Sequence, residues 1–285
     1  MVAQKRKLGV YAPTERNGRS NIYQLQLVVG NGPQQLSYQR WQDGNPAYYF
    51  GRGSSDDRAF SFSAIKSQVT PILDPDAEQA LKNWEKRVGK DEADRIRNES
   101  IAAGKMGHNM LERWNRGQTP GPFPMNMGGY VKALKDGIFP YLRRSTPPLS
   151  VIDQERNEVT LSEVFVADFE EQFIGRFDLV TEIAASPFDG ARVLLELKGS
   201  RNEKSLEHKL PHIVQATAYL TTYNKIAAAF PEQIAPLDGI AMAYMYSSGI
   251  GEMMPILGEE LQEYIEEWQG WLTCFQSLRG AKDAA

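Results

Sequence analysis

The chain has a single cysteine, Cys274, among its 285 residues. One thiol can form neither an intrachain disulfide nor a four-cysteine iron–sulfur cluster, so the sequence excludes both. A chain without disulfides is typical of reducing compartments, and we expect this protein to be intracellular, in the cytoplasm, and not secreted.

Long apolar runs are also missing, and no stretch approaches the length of a membrane span. The basic tripeptide at residues 5–7 is not followed by an apolar signal core, so the sequence predicts no membrane partner. Nor is there a basic surplus, since the formal net charge is −4. Contacts with a nucleic acid would therefore have to come from local basic patches. The apolar content of 41% is enough for one large domain, or for one domain with an appendage.

The most informative stretch places three charged residues in an apolar sequence. It predicts two extended segments, residues 173–183 and 191–198, that are joined by a turn and pair as a hairpin. Glu196 and Lys198 point to one face of the second segment because side chains alternate along a strand. Asp178 in the first segment is a candidate partner for them, since charges at the end of a buried apolar strand are costly without partners.

Two carboxylates and an ammonium group that meet at a sheet edge suit the metal-dependent hydrolysis of a phosphodiester. Carboxylates are hard oxygen ligands for Mg²⁺ or Mn²⁺, and we expect one or two such ions. The metal would polarise the phosphoryl group and activate a water molecule. The Lys198 ammonium would orient that water or offset the negative charge that develops.

Two helical segments carry further candidates at a spacing of four residues, which places both side chains on one helix face. His108 and Glu112 lie upstream of the predicted strands, and Gln215 and Tyr219 lie downstream of them. Each of these is an ordinary helix residue on its own, and a lone histidine in such a position is more often structural than functional. The chemistry of the neighbouring strands favours a role in the site.

The order of these residues along the chain resembles that of the PD-(D/E)XK nuclease superfamily. A histidine, an aspartate, a Glu-x-Lys tripeptide and a Gln-x-x-x-Tyr helix follow one another, which looks like the RecB-type exonuclease branch. Residues 62–114 are similar to the front half of the mitochondrial genome maintenance exonuclease group and its phage relatives. The chain departs from that group's histidine motif, because the threonine expected shortly before His108 is missing.

The resemblance implies an α/β fold with a PD-(D/E)XK core, in which helices flank a central mixed sheet. It also implies a set of site residues. The implied metal shell is His108, Asp178, Glu196 and Leu197; Lys198 would position the attacking water, and Gln215 and Tyr219 would support the nucleophile and the strand. Single-stranded DNA is the implied partner, in the cytoplasm of a bacterial or phage-infected cell.

Basic residues near the predicted strands are candidates for holding the DNA backbone. They come from the loop after the second strand and from a helix ahead of the strands, and they are Arg201, Lys204, Lys209, Arg143 and Arg144. Glu112 and Glu163 are candidate additional acids. Glu163 lies on a predicted half-buried strand at residues 158–168, where a surface position is its better interpretation.

The sequence predicts a β-rich N-terminal extension, residues 1–58, followed by a nuclease domain of residues 59–285. That domain includes a helical segment at 76–144, whose last helix covers 129–144. It ends with a helix at 258–278 that carries glutamates on one side and apolar side chains on the other. This acidic helix packs on the domain, or it serves a protein partner or a second copy of the chain.

These features predict a Mg²⁺- or Mn²⁺-dependent exonuclease that acts on the ends of single-stranded DNA. A structure-specific endonuclease of the same fold is one alternative. Another is a non-catalytic DNA-binding or assembly subunit on a nuclease scaffold, although such subunits usually lose an active-site residue and this chain retains Asp178, Glu196 and Lys198. An unrelated α/β protein with coincidental charges is a third.

Overall fold

The computed structural model describes residues 7–16, 23–40, 46–50, 58–119, 121–144, 150–153, 156 and 158–283. This part of the chain contains six α-helices and fourteen β-strands, which form a closed barrel, a five-stranded sheet and a two-stranded sheet. The class is mixed α/β, as predicted. The residues of the predicted N-terminal extension that lie outside the described ranges are 1–6, 17–22, 41–45 and 51–57.

The first five strands close a barrel together with two later strands. They are Leu8–Arg16 (β1), Tyr23–Gly30 (β2), Gln35–Arg40 (β3), Pro46–Phe50 (β4) and Arg58–Ser61 (β5). β1 pairs antiparallel with Phe165–Asp168 (β9), and β5 pairs parallel with Phe173–Arg176 (β10). Buried apolar side chains of these strands, among them Tyr11, Leu27 and Phe165, pack together. The early strands thus share one sheet with residues 165–176, which lie in the predicted nuclease domain.

The second sheet is mixed and has five strands. These are Leu142–Arg143 (β6), Leu179–Ile183 (β11), Arg192–Ser200 (β12), Gly239–Tyr246 (β13) and Gly251–Leu257 (β14), in the order β14, β13, β12, β11, β6. β12 pairs antiparallel with β11 and parallel with β13. A separate two-stranded sheet is formed by Ser150–Ile152 (β7) and Glu158–Thr160 (β8).

Two strands predicted from the sequence are each divided in the structure. The segment 173–183 splits into β10, which belongs to the barrel, and β11, which forms the predicted hairpin with β12. The chain crosses from one sheet to the other at Phe177 and Asp178, and periodicity misses the crossing because the apolar pattern continues through Phe177. The segment 158–168 splits into β8 and β9, because the backbone of Glu163 adopts a left-handed conformation with φ of 56°.

The helices of the described chain are Phe62–Leu73 (α1), Ala77–Val88 (α2), Lys90–Asn115 (α3), Gly128–Gly137 (α4), Leu206–Ala229 (α5) and Gly258–Asp283 (α6). The predicted helix 129–144 ends early, at Gly137, and a 3₁₀ turn and β6 follow it. Pro140 lies in that turn, where its missing N–H prevents the helix from continuing. None of these helices combines the length and apolar character needed to cross a membrane.

Helices cover both faces of the five-stranded sheet, which explains why β12 is apolar on both sides. Leu195 and Leu197 pack with residues of α3 and α4, whereas Leu194 packs with residues of α5 and α6. Gly107 allows α3 to approach β12 closely, since a Cβ at this position would lie 3.0 Å from the Leu197 Cδ2 atom. The next residue, His108, is thereby brought to the sheet.

The apolar side of α6 packs against α1 and the barrel. The centroid of the Trp268 ring lies 5.0 Å from that of Phe173 and 5.9 Å from that of Phe62. The Phe275 ring lies 5.2 Å from the Phe60 ring. Phe60 and Phe173 belong to the parallel strand pair β5 and β10. The apolar side of the predicted acidic helix therefore packs within the chain, and its glutamates are exposed.

We expect Trp268→Ala to lower the free energy of unfolding by about 3–5 kcal/mol, because the side chain is fully buried between α6, α1 and the barrel. Urea unfolding followed by circular dichroism measures the change. Leu81→Ala is the matched control, since this leucine of α2 is 53% exposed and should change stability by less than about 0.5 kcal/mol. Equal losses in the two variants would mean that α6 is not part of the cooperative core.

Candidate metal centre

The six residues predicted to be catalytic line one cavity of about 330 Å³. They are His108 on α3, Asp178 just before β11, Glu196 and Lys198 on β12, and Gln215 and Tyr219 on α5. The other walls come from the first turn of α1 and from β10. The cavity thus lies where the barrel and the five-stranded sheet meet.

Asp178 is held in place by the strand that carries the Glu-x-Lys sequence. Its side chain is buried, and the Oδ2 atom accepts a hydrogen bond of 2.7 Å from the Leu197 N–H. The Oδ1 atom lies 3.2 Å from the His108 Nδ1 atom. Leu197, which was predicted in the metal shell, therefore contributes its backbone to the position of Asp178, while its side chain packs beneath α3.

Glu163 joins this group from the short bend between β8 and β9. Its N–H donates to the Asp178 carbonyl oxygen (3.0 Å), and the Ser162 hydroxyl donates to the same oxygen (3.2 Å). These bonds hold the left-handed backbone that turns the carboxylate towards the site, where Oε1 lies 2.9 Å from His108 Nδ1. The interpretation of Glu163 as a surface residue is wrong, because its carboxylate contacts His108 in the site. An alternating sequence pattern does not reveal a left-handed backbone conformation, so the sequence could not show this orientation.

His108, Glu163 and Asp178 form a group that could hold a metal ion. Each offers one ligand atom, and these atoms all lie within 4.8 Å of one another. Carboxylate oxygens suit Mg²⁺ and Mn²⁺, and an imidazole nitrogen is acceptable to Mn²⁺.

Electrostatic interactions in this group are strong because the carboxylates are buried together. Burial and the charge of Glu196 raise the pKa of Asp178 to about 7. Burial lowers the pKa of His108, but the negative charges of Asp178 and Glu163 outweigh it and raise this pKa to about 9. The imidazolium therefore offsets part of the negative charge at neutral pH, as a bound cation would.

Glu196 supplies a further acceptor that lacks a donor. Its carboxylate is buried, and Oε1 accepts a 2.7 Å hydrogen bond from the Lys198 ammonium. The Oε2 atom is buried without a hydrogen-bond partner in the described part of the chain. A buried carboxylate oxygen without a donor is costly, and a cation in the cavity would satisfy it.

Lys198, Gln215 and Tyr219 form a chain of hydrogen bonds across the cavity. The Lys198 ammonium donates to Gln215 Oε1 (3.0 Å), and the Gln215 amide donates to the Tyr219 hydroxyl (2.6 Å). Burial raises the pKa of Tyr219 well above its usual range, so the hydroxyl stays protonated. Gly175 of β10 makes room for the ring, since a Cβ there would lie 2.1 Å from Tyr219 Cε1.

None of the five residues predicted to contact DNA is among the described residues that line the cavity. Arg143 pairs with Asp189, Arg144 lies over the Trp114 ring, and Arg201 pairs with Glu92. Lys209 was predicted in the loop after the second strand, but it lies on α5 and faces the sheet. Its side chain is buried there and donates to Glu252 (2.5 Å). Glu112 pairs with Arg116. Lys204 is half-buried and lies near enough to Lys198 for the two charges to interact.

Two groups of cavity residues were missed by the sequence analysis. Arg176 on β10 lies 3.3 Å from the second Glu163 carboxylate oxygen. Ser63 comes from the first turn of α1, and Ser61, the last residue of β5, caps that helix by accepting from the Ala64 N–H (3.3 Å). These residues reach the cavity through pairing and packing between segments that are distant in the sequence. Only Ser61 has a local signal, because a serine directly before a helix is a typical N-cap.

No model of a known protein family and no curated protein matches the sequence. The functional interpretation therefore depends on the cavity itself. Its main features are the three-residue ligand group, the second oxygen of Glu196 and the ammonium of Lys198.

We expect Glu163→Gln to weaken the binding of Mn²⁺ by at least about tenfold, because the substitution removes one charged ligand and a partner of His108. Titration of the metal-free protein with Mn²⁺, followed by electron paramagnetic resonance, measures the affinity. Glu112→Gln is the matched control, since Glu112 lies one helical turn from His108 but pairs with Arg116. Equal affinities in the two variants would remove Glu163 from the ligand group.

The raised pKa of Asp178 predicts a specific dependence of stability on pH. An acid whose pKa is raised in the folded state from 3.8 to about 7 costs stability as the pH rises through that interval. Asp178→Asn should remove this loss and should raise the melting temperature of the metal-free protein at pH 8. Thermal melts in EDTA measure it. Asp189→Asn, which changes an exposed carboxylate, is the control, and parallel pH profiles for the wild type and Asp178→Asn would contradict the expectation.

Proposed function

We propose that the protein is a Mg²⁺- or Mn²⁺-dependent deoxyribonuclease of the RecB-type branch of the PD-(D/E)XK superfamily. It removes nucleotides from the ends of single-stranded DNA. The observation that carries the proposal is the convergence of Asp178, Glu196, Lys198 and His108 on one cavity, from two adjacent strands and a helix. A mixed sheet covered by helices on both faces supports the assignment to this superfamily.

The donor set in the cavity fits a hard divalent cation. His108, Glu163 and Asp178 would hold it, and the second oxygen of Glu196 would gain the partner that it lacks. When bound, such an ion supplies Lewis-acid polarisation of the phosphoryl group. Because Asp178 is fixed by the Leu197 N–H, its ligand oxygen is held in place before the metal arrives.

Lys198 positions the attacking water. Its ammonium has three N–H donors, of which two are used by Glu196 and Gln215, so the third can hydrogen-bond to a water molecule. Tyr219 fixes Gln215 and thereby the direction of the ammonium. In the hydrolysis, the water oxygen bonds to phosphorus, the P–O bond to the leaving sugar oxygen breaks, and that oxygen takes up a proton.

The size and walls of the cavity favour a single strand over a duplex. A volume of about 330 Å³ is near the lower end for a small-ligand pocket, so it suits one strand segment. Arg176 and Phe165 line the side formed by the barrel, and the guanidinium lies 6.0 Å from the ring centroid. The Phe165 ring is buried in the barrel, whereas the Arg176 side chain is exposed and can contact a phosphate of the strand.

We expect Lys198→Ala to reduce hydrolysis of an end-labelled single-stranded oligonucleotide by at least about hundredfold, while DNA binding in EDTA is retained. Product lengths over time, with Mg²⁺, with Mn²⁺ and with EDTA, provide the measurement. Lys86→Ala, an exposed lysine of α2, is the control and should retain full activity. A circular single strand should remain intact, and its cleavage would favour an endonuclease. Full activity of Lys198→Ala would overturn the mechanism.

A further inference from the structure

Three basic side chains that the proposed mechanism does not use lie on the elements around Lys198. Lys66 lies on α1, one helical turn after Ser63, which lines the cavity. His212 lies on α5, one turn before Gln215, which accepts from the Lys198 ammonium at 3.0 Å. Lys204 lies in the loop that joins β12, the strand of Lys198, to α5. All three side chains are half-buried.

The loop that carries Lys204 is held in place by hydrogen bonds at its start. The Ser200 hydroxyl donates to the Asn202 carbonyl oxygen (2.7 Å), and the Ser247 hydroxyl donates to the Arg201 carbonyl oxygen (2.7 Å). The Lys204 backbone interacts with the Tyr246 hydroxyl. Lys204 is therefore presented from a fixed loop, which is the condition for a binding residue that loses little entropy on contact.

The positive charges of this group act on one another. Burial lowers the pKa of Lys66 and so does the charge of Lys198, and together they outweigh the opposite effect of Asp74. Burial likewise lowers the pKa of Lys204, and the charges of Lys66 and Lys198 lower it further. The pKa of His212 falls to about 3 through burial and through the charges of all three lysines.

Contacts on β13 link the same residues. The Tyr244 hydroxyl lies 3.4 Å from His212 Nδ1, and Tyr244 is the register partner of Lys198 in the β12–β13 pair. Its ring stacks on that of Tyr246, with the ring centroids 6.2 Å apart, and the Tyr246 hydroxyl interacts with the Lys204 backbone.

Neither Lys66 nor Lys204 forms an ion pair with a carboxylate in the part of the chain that the structure describes. Lys209, five residues beyond Lys204, shows the contrast, because it donates to Glu252. His212 accepts or donates at Nδ1 with the Tyr244 hydroxyl (3.4 Å), which leaves Nε2 for another partner. A neutral imidazole that accepts at Nδ1 carries its proton on Nε2 and can donate there.

We propose that Lys66, Lys204 and His212 form a phosphate-binding subsite next to Lys198, which holds a second phosphate of the DNA strand while its neighbour is cleaved. This inference rests on the proposed nuclease function for the identity of the strand. Two half-buried ammonium groups that form no ion pair in the described part of the chain, together with an imidazole donor, match the charge and acceptors of a phosphate. A phosphate at this position would offset the repulsion between the lysines.

The phosphate can be a terminal monoester, with a charge of about −1.5 to −2, or an internal diester with a single charge. Both present the same oxygens to the lysines. A terminal monoester would make the subsite a sensor of strand ends, whereas an internal diester would make it a guide for strand register. Oligonucleotides that differ only in their terminal phosphates distinguish the two sources.

The test measures binding of a short, internally labelled oligothymidylate to the metal-free protein in EDTA, by fluorescence anisotropy over a range of salt concentrations. Lys66→Met and Lys204→Met remove the charge and retain much of the stem. Each should weaken binding by about fivefold to tenfold at low salt and reduce the slope of log affinity against log salt by about 0.7. Lys86→Met, which changes an exposed lysine of α2, should alter neither quantity. The oligonucleotide is supplied with a 5′-phosphate, with a 3′-phosphate and with neither.

A preference for one phosphorylated end that is lost in both variants identifies a terminal phosphate. Equal affinity for the three oligonucleotides, again reduced in both variants, identifies an internal one. Affinity and salt slope that match those of Lys86→Met would overturn the subsite. Lys66→Arg, which retains the charge, should keep the wild-type slope and so separates loss of charge from misfolding. Phosphate binding that depends on these lysines without any hydrolysis by the wild type would leave the subsite intact and remove the nuclease proposal.

Discussion

The fold around the cavity is constrained by two carboxylates, Asp178 and Glu196, that are buried in the same space. Like charges cannot be placed together in a low-dielectric interior unless donors or cations surround them. The chain provides donors from several directions: the Leu197 N–H, the Lys198 ammonium and the His108 imidazole. One acceptor, the second oxygen of Glu196, is still left over. A cation bound in the cavity would satisfy this acceptor.

The cost of this arrangement is offset by the packing around it. β12 has helices on both faces, so the residues that flank Glu196 are among the most buried of the chain. The aromatic contacts of Trp268 hold α6 against α1 and β10, two of the elements that form the cavity walls. The buried carboxylates lower the stability of the fold, and the apolar packing around them compensates for this loss. A preorganised site requires this combination.

Local sequence patterns were sufficient to predict which side chains share a face in the elements with the strongest periodicity. The alternation of β12 placed Glu196 and Lys198 on one face, and the spacing of four placed Gln215 beside Tyr219, as their hydrogen bond shows. These predictions succeeded because they depend on neighbours in the sequence. Glu163 was misjudged because its orientation depends on a left-handed residue held by the Asp178 carbonyl.

Other features could not be predicted from the sequence, because they also depend on contacts between residues that are distant along the chain. The barrel closes through the pairing of β1 with β9 and of β5 with β10. The periodicity of a strand does not indicate which distant strand it pairs with. The basic loop after β12 looked uniform in sequence, yet Arg201 pairs with Glu92, while Lys204 pairs with no carboxylate among the residues that the structure describes. Only the three-dimensional structure distinguishes Arg201, which is paired with a carboxylate, from Lys204.

The closure of the barrel has a consequence for how the chain folds as it is synthesised. The strands that seal the two edges of β1 to β5 are β9 and β10, and they are synthesised only after the four helices α1 to α4. During that interval two strand edges stay open, and open edges invite pairing with other chains. The segment that ends this exposure, residues 165–176, directly precedes Asp178. The barrel can therefore close in the nascent chain only when synthesis has nearly reached Asp178, the first of the two acids buried in the cavity.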